Sequence, residues 1–212
     1  MIRLKSLLTE QSYSPIENYT ESIEKIKTAV LKILEFTLSV SRDQIINDGI
    51  SNHISRINRS TNTLLRTMKR EDIPEPRYFE KFKSNVQLRH FYNYVKTRKL
   101  FGQDGNRKLA QACESIEKPG NELLKHIINN IKKSYSSEAE DRIRGVGHDI
   151  SKAAAAQPGI KIPGNLDQAL RMKQSYDFMQ LSLSDKDKQL INDLDNGIDE
   201  MNKILPTIMV KR

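Results

Sequence analysis

Apolar side chains fall at Ile16, Tyr19, Ile23, Ile26, Val30, Ile33, Thr37 and Val40, in steps that alternate three and four. A strand needs period two, whereas alternation of three and four follows one side of an α-helix. This heptad seam predicts a long amphipathic helix that has to bury its stripe against another helix. Pro15 is suited to begin it, because a first-turn residue has no intrahelical use for its N–H.

A second stripe runs Ile46, Ile50, Ile54, Ile57, Thr61, Leu64 and Met68. It does not continue the first in phase past Val40, which favours two antiparallel helices over one. Ser41 is the expected N-cap, with Asp43 in the first turn. Glu71-Asp-Ile-Pro74-Glu-Pro76 is a definite break. Helix resumes over residues 78–101, with a join near Ser84. Gly102-Gln-Asp-Gly105 reads as a turn. Leu109, Cys113 and Ile116 form a short stripe that ends before Pro119-Gly120, and Leu123, Leu124, Ile127, Ile128 and Ile131 form the next. Ser137 caps a further helix carrying Ile143, Val146 and Ile150. Residues 157–164 are the clearest linker. Ser184 starts the last helix, with Leu190, Leu194, Ile198, Met201 and Leu205 on its stripe and Pro206 at its close.

No period-two pattern persists anywhere. The expectation is an all-α, elongated bundle of about six to eight helices with a long N-terminal helical hairpin. Residues 1–10 read as a leader and 11–73 as the hairpin. Residues 74–156 are a basic and aromatic helical region, and 157–212 are the linker and C-terminal helices. Residues 71–212 are expected to form one bundle with the hairpin.

Composition narrows the function classes. Only 37% of residues are hydrophobic and 29% are charged, which suits long helices with much surface better than an enzyme around a deep pocket. No apolar run approaches the roughly 18 residues that span a bilayer, so no membrane partner is expected. The lone Cys113 excludes an intramolecular disulfide and a cysteine zinc site and fits a reducing cytoplasm. His53, His90, His126 and His148 show no metal-ligand spacing, and no phosphate-binding glycine loop or nucleophile elbow occurs. No cofactor and no metal is implied.

The charge is local. Residues 51–100 hold twelve Lys and Arg against four Asp and Glu, a surplus equal to the +8 of the whole chain. No acidic residue lies between Gly49 and Arg70. Arg59, Arg66 and Arg70, spaced seven and four, share one helical face, with Arg56 beside it and Lys69 next to it. A phosphate backbone rewards such an array, because each contact releases counterions. Farther on, Arg89, Lys96, Arg98 and Lys99 alternate with Phe91, Tyr92 and Tyr94, whose rings could stack on unpaired bases. These nine cations are the expected contacts to DNA or another polyanion. The competing reading pairs them with the acidic residues 185–200 of the same chain or a neighbour, and gives the rings to the core.

Three other patterns bear on chemistry. Arg142 and His148, with five residues between them, resemble the Arg/His spacing of helical HEPN-class nucleases. That resemblance implies His148 as general acid/base and Arg142 as phosphate anchor. The family's polar residue after the Arg is here Ile143. Asp193-Leu-Asp-Asn-Gly197-Ile-Asp199 looks like a calcium loop, but its glycine is one position early and the apolar stripe runs through it, so a solvated helix face is expected. Met1-Ile-Arg-Leu-Lys-Ser-Leu-Leu-Thr-Glu10 resembles the amphipathic capsid-targeting leaders of internal head proteins in T-even-type phages, which end in Leu or Ile, any residue, then Glu. That resemblance covers ten residues and implies cleavage after Glu10.

The expected function is therefore a non-enzymatic phage virion protein touching DNA through a basic helical face, found in the host cytoplasm and then in the virion. The alternatives are a helical module that pairs with another copy or with other virion proteins through the seam of residues 16–40, or an HEPN-like nuclease. Outside a phage, the place would be cytoplasmic.

Overall fold

The computed structural model describes residues 15–68, 75–134 and 183–209. They form α1 (Pro15–Val40), α2 (Gln44–Met68), α3 (Pro76–Asn85), α4 (Arg89–Thr97), α5 (Gln103–Ser134) and α6 (Asp185–Ile204), closed by a short 3₁₀ turn, Leu205–Thr207. No β-strand occurs among the described residues, so the protein is all-α.

The two opening stripes do what their spacing requires. Tyr19, Ile23, Ile26, Val30, Ile33 and Thr37 of α1 are buried, as are Ile46, Ile50, Ile57, Thr61, Leu64 and Met68 of α2. The two helices pack on each other, and α1 also meets α5 and α6. The seam is thus used within the chain, and its centre is not available to pair with another subunit. The turn between them differs from expectation. Asp43, not Ser41, is the cap: its Oδ1 accepts the N–H groups of Ile45 at 2.9 Å and Ile46 at 3.2 Å. Ser41 supports that turn by accepting the Asp43 N–H at 3.2 Å. A carboxylate competes better than a hydroxyl for unpaired helix donors, so the helix starts two residues later.

Pro76 opens α3 in its first turn, and the join to α4 falls at residues 86–88. Leu88 offers no side-chain cap to α4. Glu117 of α5 accepts the Leu88 N–H instead, and its carboxyl is raised by burial although that bond and nearby Arg89 oppose the rise. The chain leaves α4 through Lys99, at φ 52°, a left-handed conformation usual for glycine or asparagine.

The largest departure is α5. Pro119-Gly120 was expected to separate two helices, and Gly102–Gly105 to form a turn. Instead one helix of 32 residues runs from Gln103 through Pro119 to Ser134. Leu109, Cys113, Ile116, Gly120, Leu123, Ile127 and Ile131 are all buried and advance by three or four, so the stripe crosses the proline without losing phase. Proline has no N–H for the carbonyl four residues back, here that of Ser115. Gly197 of α6 sits against that carbonyl, where any Cβ would overlap the Ser115 oxygen. The missing side chain lets α6 approach the carbonyl that proline leaves without its helical partner. Residues 193–199 are accordingly helix and not a calcium loop, and α5 and α6 form the most extensive helix pair among the described residues. Ser184 and Asp187 cap α6 reciprocally, as the sequence indicates.

Candidate nucleic-acid interface

The side of α2 away from its stripe carries Ser55, Arg56, Arg59, Asn62, Thr63 and Arg66, all exposed. Burial of the Ile/Leu stripe forces this side outward. Arg56, Arg59 and Arg66 form no ion pair with any described residue. Lys69 and Arg70, and likewise Glu10, Arg142 and His148, lie outside the described residues.

The acidic last helix does not neutralise this face. Asp195 pairs with Lys25 of α1 at 2.9 Å, and Asp185 with Lys188 of its own helix at 3.8 Å. Glu200 accepts from Gln111 of α5 at 3.0 Å. Among the described residues, none of the cations of residues 51–100 pairs with an acid of this last helix.

The cations around α4 divide into two sets. Arg89 and Lys96, seven apart, share a side of α4 and are exposed. Arg89 lines a depression with Cys113, Glu114, Glu117 and Lys118 of α5, so carboxylates share its surroundings. Arg98 lies 4.0 Å from Asp43 and its guanidinium stands 5.5 Å over the Tyr94 ring. Lys99 is exposed in the turn beyond. The rings divide too. Phe79, Phe82, Phe91 and Phe101 are buried, whereas Tyr78, Tyr92 and Tyr94 are half-buried and keep an accessible edge.

Arg56 is where the two regions meet. It lines a groove of about 500 Å³ between α2 and the α3–α4 corner, together with Gly49, Ile50 and His53 from α2 and Ser84, Asn85, Gln87, His90, Phe91 and Tyr94 from the other wall. The Nε2–H of His53 donates to the Asn85 carbonyl at 2.7 Å and ties the walls together. Burial lowers the His53 pKa; the Asn85 bond works against this and Arg56 adds to it. Among the described residues no carboxylate lines the groove. His53, His90 and Gly49 carried no functional signal in the sequence, because only folding brings α2 beside α4.

A second polar cluster is buried between α1, α5 and α6. Asp187 accepts from Tyr19 Oη at 2.7 Å, His126 Nε2 at 3.1 Å, Ser184 N at 2.9 Å and Ser184 Oγ at 2.5 Å. Burial alone would raise this carboxyl, but the bonds from Ser184 and Tyr19 and the nearness of His126 hold it below the ordinary value. Burial, then Asp187, pushes the Tyr19 hydroxyl well above its ordinary range. With its oxygens occupied by four donors, Asp187 ties three helices together and has little capacity left for chemistry. No group of three or more potential metal ligands occurs among the described residues, and no described helix is long and apolar enough to cross a membrane.

No family model, no curated protein and no solved structure matches this chain.

Proposed function

We propose that this is a non-enzymatic nucleic-acid-binding protein whose contact surface is the arginine face of α2. The observation that carries the reading is that Arg56, Arg59 and Arg66 stand exposed with no anionic partner among the described residues, while Asp195, Glu200 and Asp185 of α6 contact α1, α5 and α6 itself. Maintaining unpaired like charges on one side opposes folding slightly, and a phosphate backbone removes that cost by contributing the missing anions. Three phosphate contacts give an affinity that falls with a log–log salt slope of about −3. A labelled DNA fragment should be retarded by the protein, and Arg59→Glu with Arg66→Glu should abolish the retardation while the circular dichroism spectrum stays helical. Retardation unchanged in that variant would refute the assignment.

The leader of residues 1–10 supports a narrower role, that of a phage internal head protein delivered beside packaged DNA. Mass spectrometry of particles tests this separately. Protein beginning at Gln11 is expected, and protein retaining Met1, or none in the particle, contradicts it.

A further inference from the structure

The groove between α2 and α4 is more than an extension of the arginine face. Its floor is apolar and aromatic, from Ile50, Phe91 and Tyr94, and its rim is cationic at Arg56. Asn85 and Gln87 line the same wall. Its volume of about 500 Å³ lies in the range of sites that hold small organic ligands.

Gly49 is an independent pointer. It lies inside α2, five residues past Gln44, where glycine weakens a helix. Packing does not require it, since a Cβ there would meet nothing within 4 Å. Gly49 is exposed and lines the groove, so a long side chain at that position has the groove beside it. Glycine here keeps open a space that the fold itself leaves unused. An aromatic base with a phosphate attached matches all three properties: a flat apolar body, hydrogen-bonding edges and an anionic end.

We infer that the groove receives an unpaired nucleotide, with its base against Tyr94 and its phosphate at Arg56, so that the protein prefers single-stranded over duplex nucleic acid. This rests on the nucleic-acid reading above and adds strand selectivity to it. A base held in a duplex cannot enter such a groove without being unstacked, whereas a single strand presents its bases freely.

The test is fluorescence anisotropy of the full chain with a labelled oligothymidylate and with a hairpin duplex of the same length. The strand is expected to bind about tenfold more tightly than the duplex, the scale of one stacked base. Gly49→Leu fills the groove while improving helix propensity, and so blocks it without a folding defect. It should remove the strand preference, weakening strand binding about tenfold and leaving duplex binding within about twofold. Tyr94→Ala should act in the same direction. Equal binding of strand and duplex by the native protein, or a strand preference that survives Gly49→Leu, overturns the groove assignment while leaving the arginine face standing. Absence of salt-sensitive binding to either probe overturns both.

Discussion

Two of the glycines inside helices of this protein, Gly197 and Gly49, do opposite things. Gly197 of α6 lies against the Ser115 carbonyl of α5, and no other residue fits there. Gly49 of α2 faces open space beside α4, and any small residue fits there. The first makes an interface tight and the second leaves one open. The charges follow the same division. On the α1–α5–α6 side, Lys25 pairs with Asp195, and Asp187 is satisfied by Tyr19, His126 and Ser184. On the α2–α4 side, Arg56, Arg59 and Arg66 have no partner among the described residues. One side holds the molecule together. The other carries exposed arginines.

Substitutions should therefore separate into those that move stability and those that move binding. The largest stability effect is expected at Gly197→Ala, which drives a methyl into the Ser115 carbonyl and should cost about 3 kcal/mol. A urea midpoint lowered to that extent, with DNA affinity unchanged once the protein is folded, sharpens the division. A neutral result would show that α5 and α6 separate easily.

Asp187→Ala comes next. It takes away the acceptor shared by the buried Tyr19 hydroxyl and the His126 ring, and the cap partner of Ser184, at a cost of about 2 kcal/mol. The same carboxyl sets an acid limb. Its folded pKa lies below the ordinary 3.8, so its contribution is complete above that value and is lost as pH falls through the lower folded value. Urea titrations at descending pH should show that limb in the native protein and a smaller one in Asp187→Asn.

On the open side, His53 gives a milder pH effect. Its folded pKa lies below the ordinary 6.5 because of burial, so the native state prefers the neutral ring. Stability is full above 6.5 and declines as pH falls through the folded value. Bound DNA supplies anions beside His53 and should reverse that decline, as a thermal shift measured with and without DNA at acid pH would reveal. The smallest effect is expected for Gly49→Ala, a gain of about 0.5–1 kcal/mol from helix propensity alone. A loss there would mean that the groove is not empty space.

The fold was legible where one periodicity decides it. The stripes of α1 and α2 could be read because period and burial agree at residue after residue, and the Ser184–Asp187 capping pair announces the start of α6. Legibility failed where a local rule met tertiary packing. Pro119-Gly120 reads as a break, yet Pro119 occupies the side of α5 that meets Gly197, and Gly120 lies close to Ile26 of α1. Packing on both sides supports a helix that propensity alone would end. At Ser41 and Asp43 two capping residues stood close together, and the carboxylate won. The arginine face was visible because it is built from one helix. The groove was not, since it joins His53 and Arg56 to His90 and Tyr94 from a helix more than thirty positions later. The Asp187 cluster was hidden for the same reason: Tyr19 and Asp187 are 168 residues apart.

The most direct test of phosphate contact at the arginine face is the salt dependence of DNA binding by the native protein compared with a variant in which Arg56, Arg59 and Arg66 are all changed to Gln. The native log–log slope should be about −3 or steeper, and the variant should lose about three units of it while its urea midpoint moves by no more than about 0.5 kcal/mol equivalent. Equal slopes for the two proteins would contradict the assignment of this face to phosphate contact.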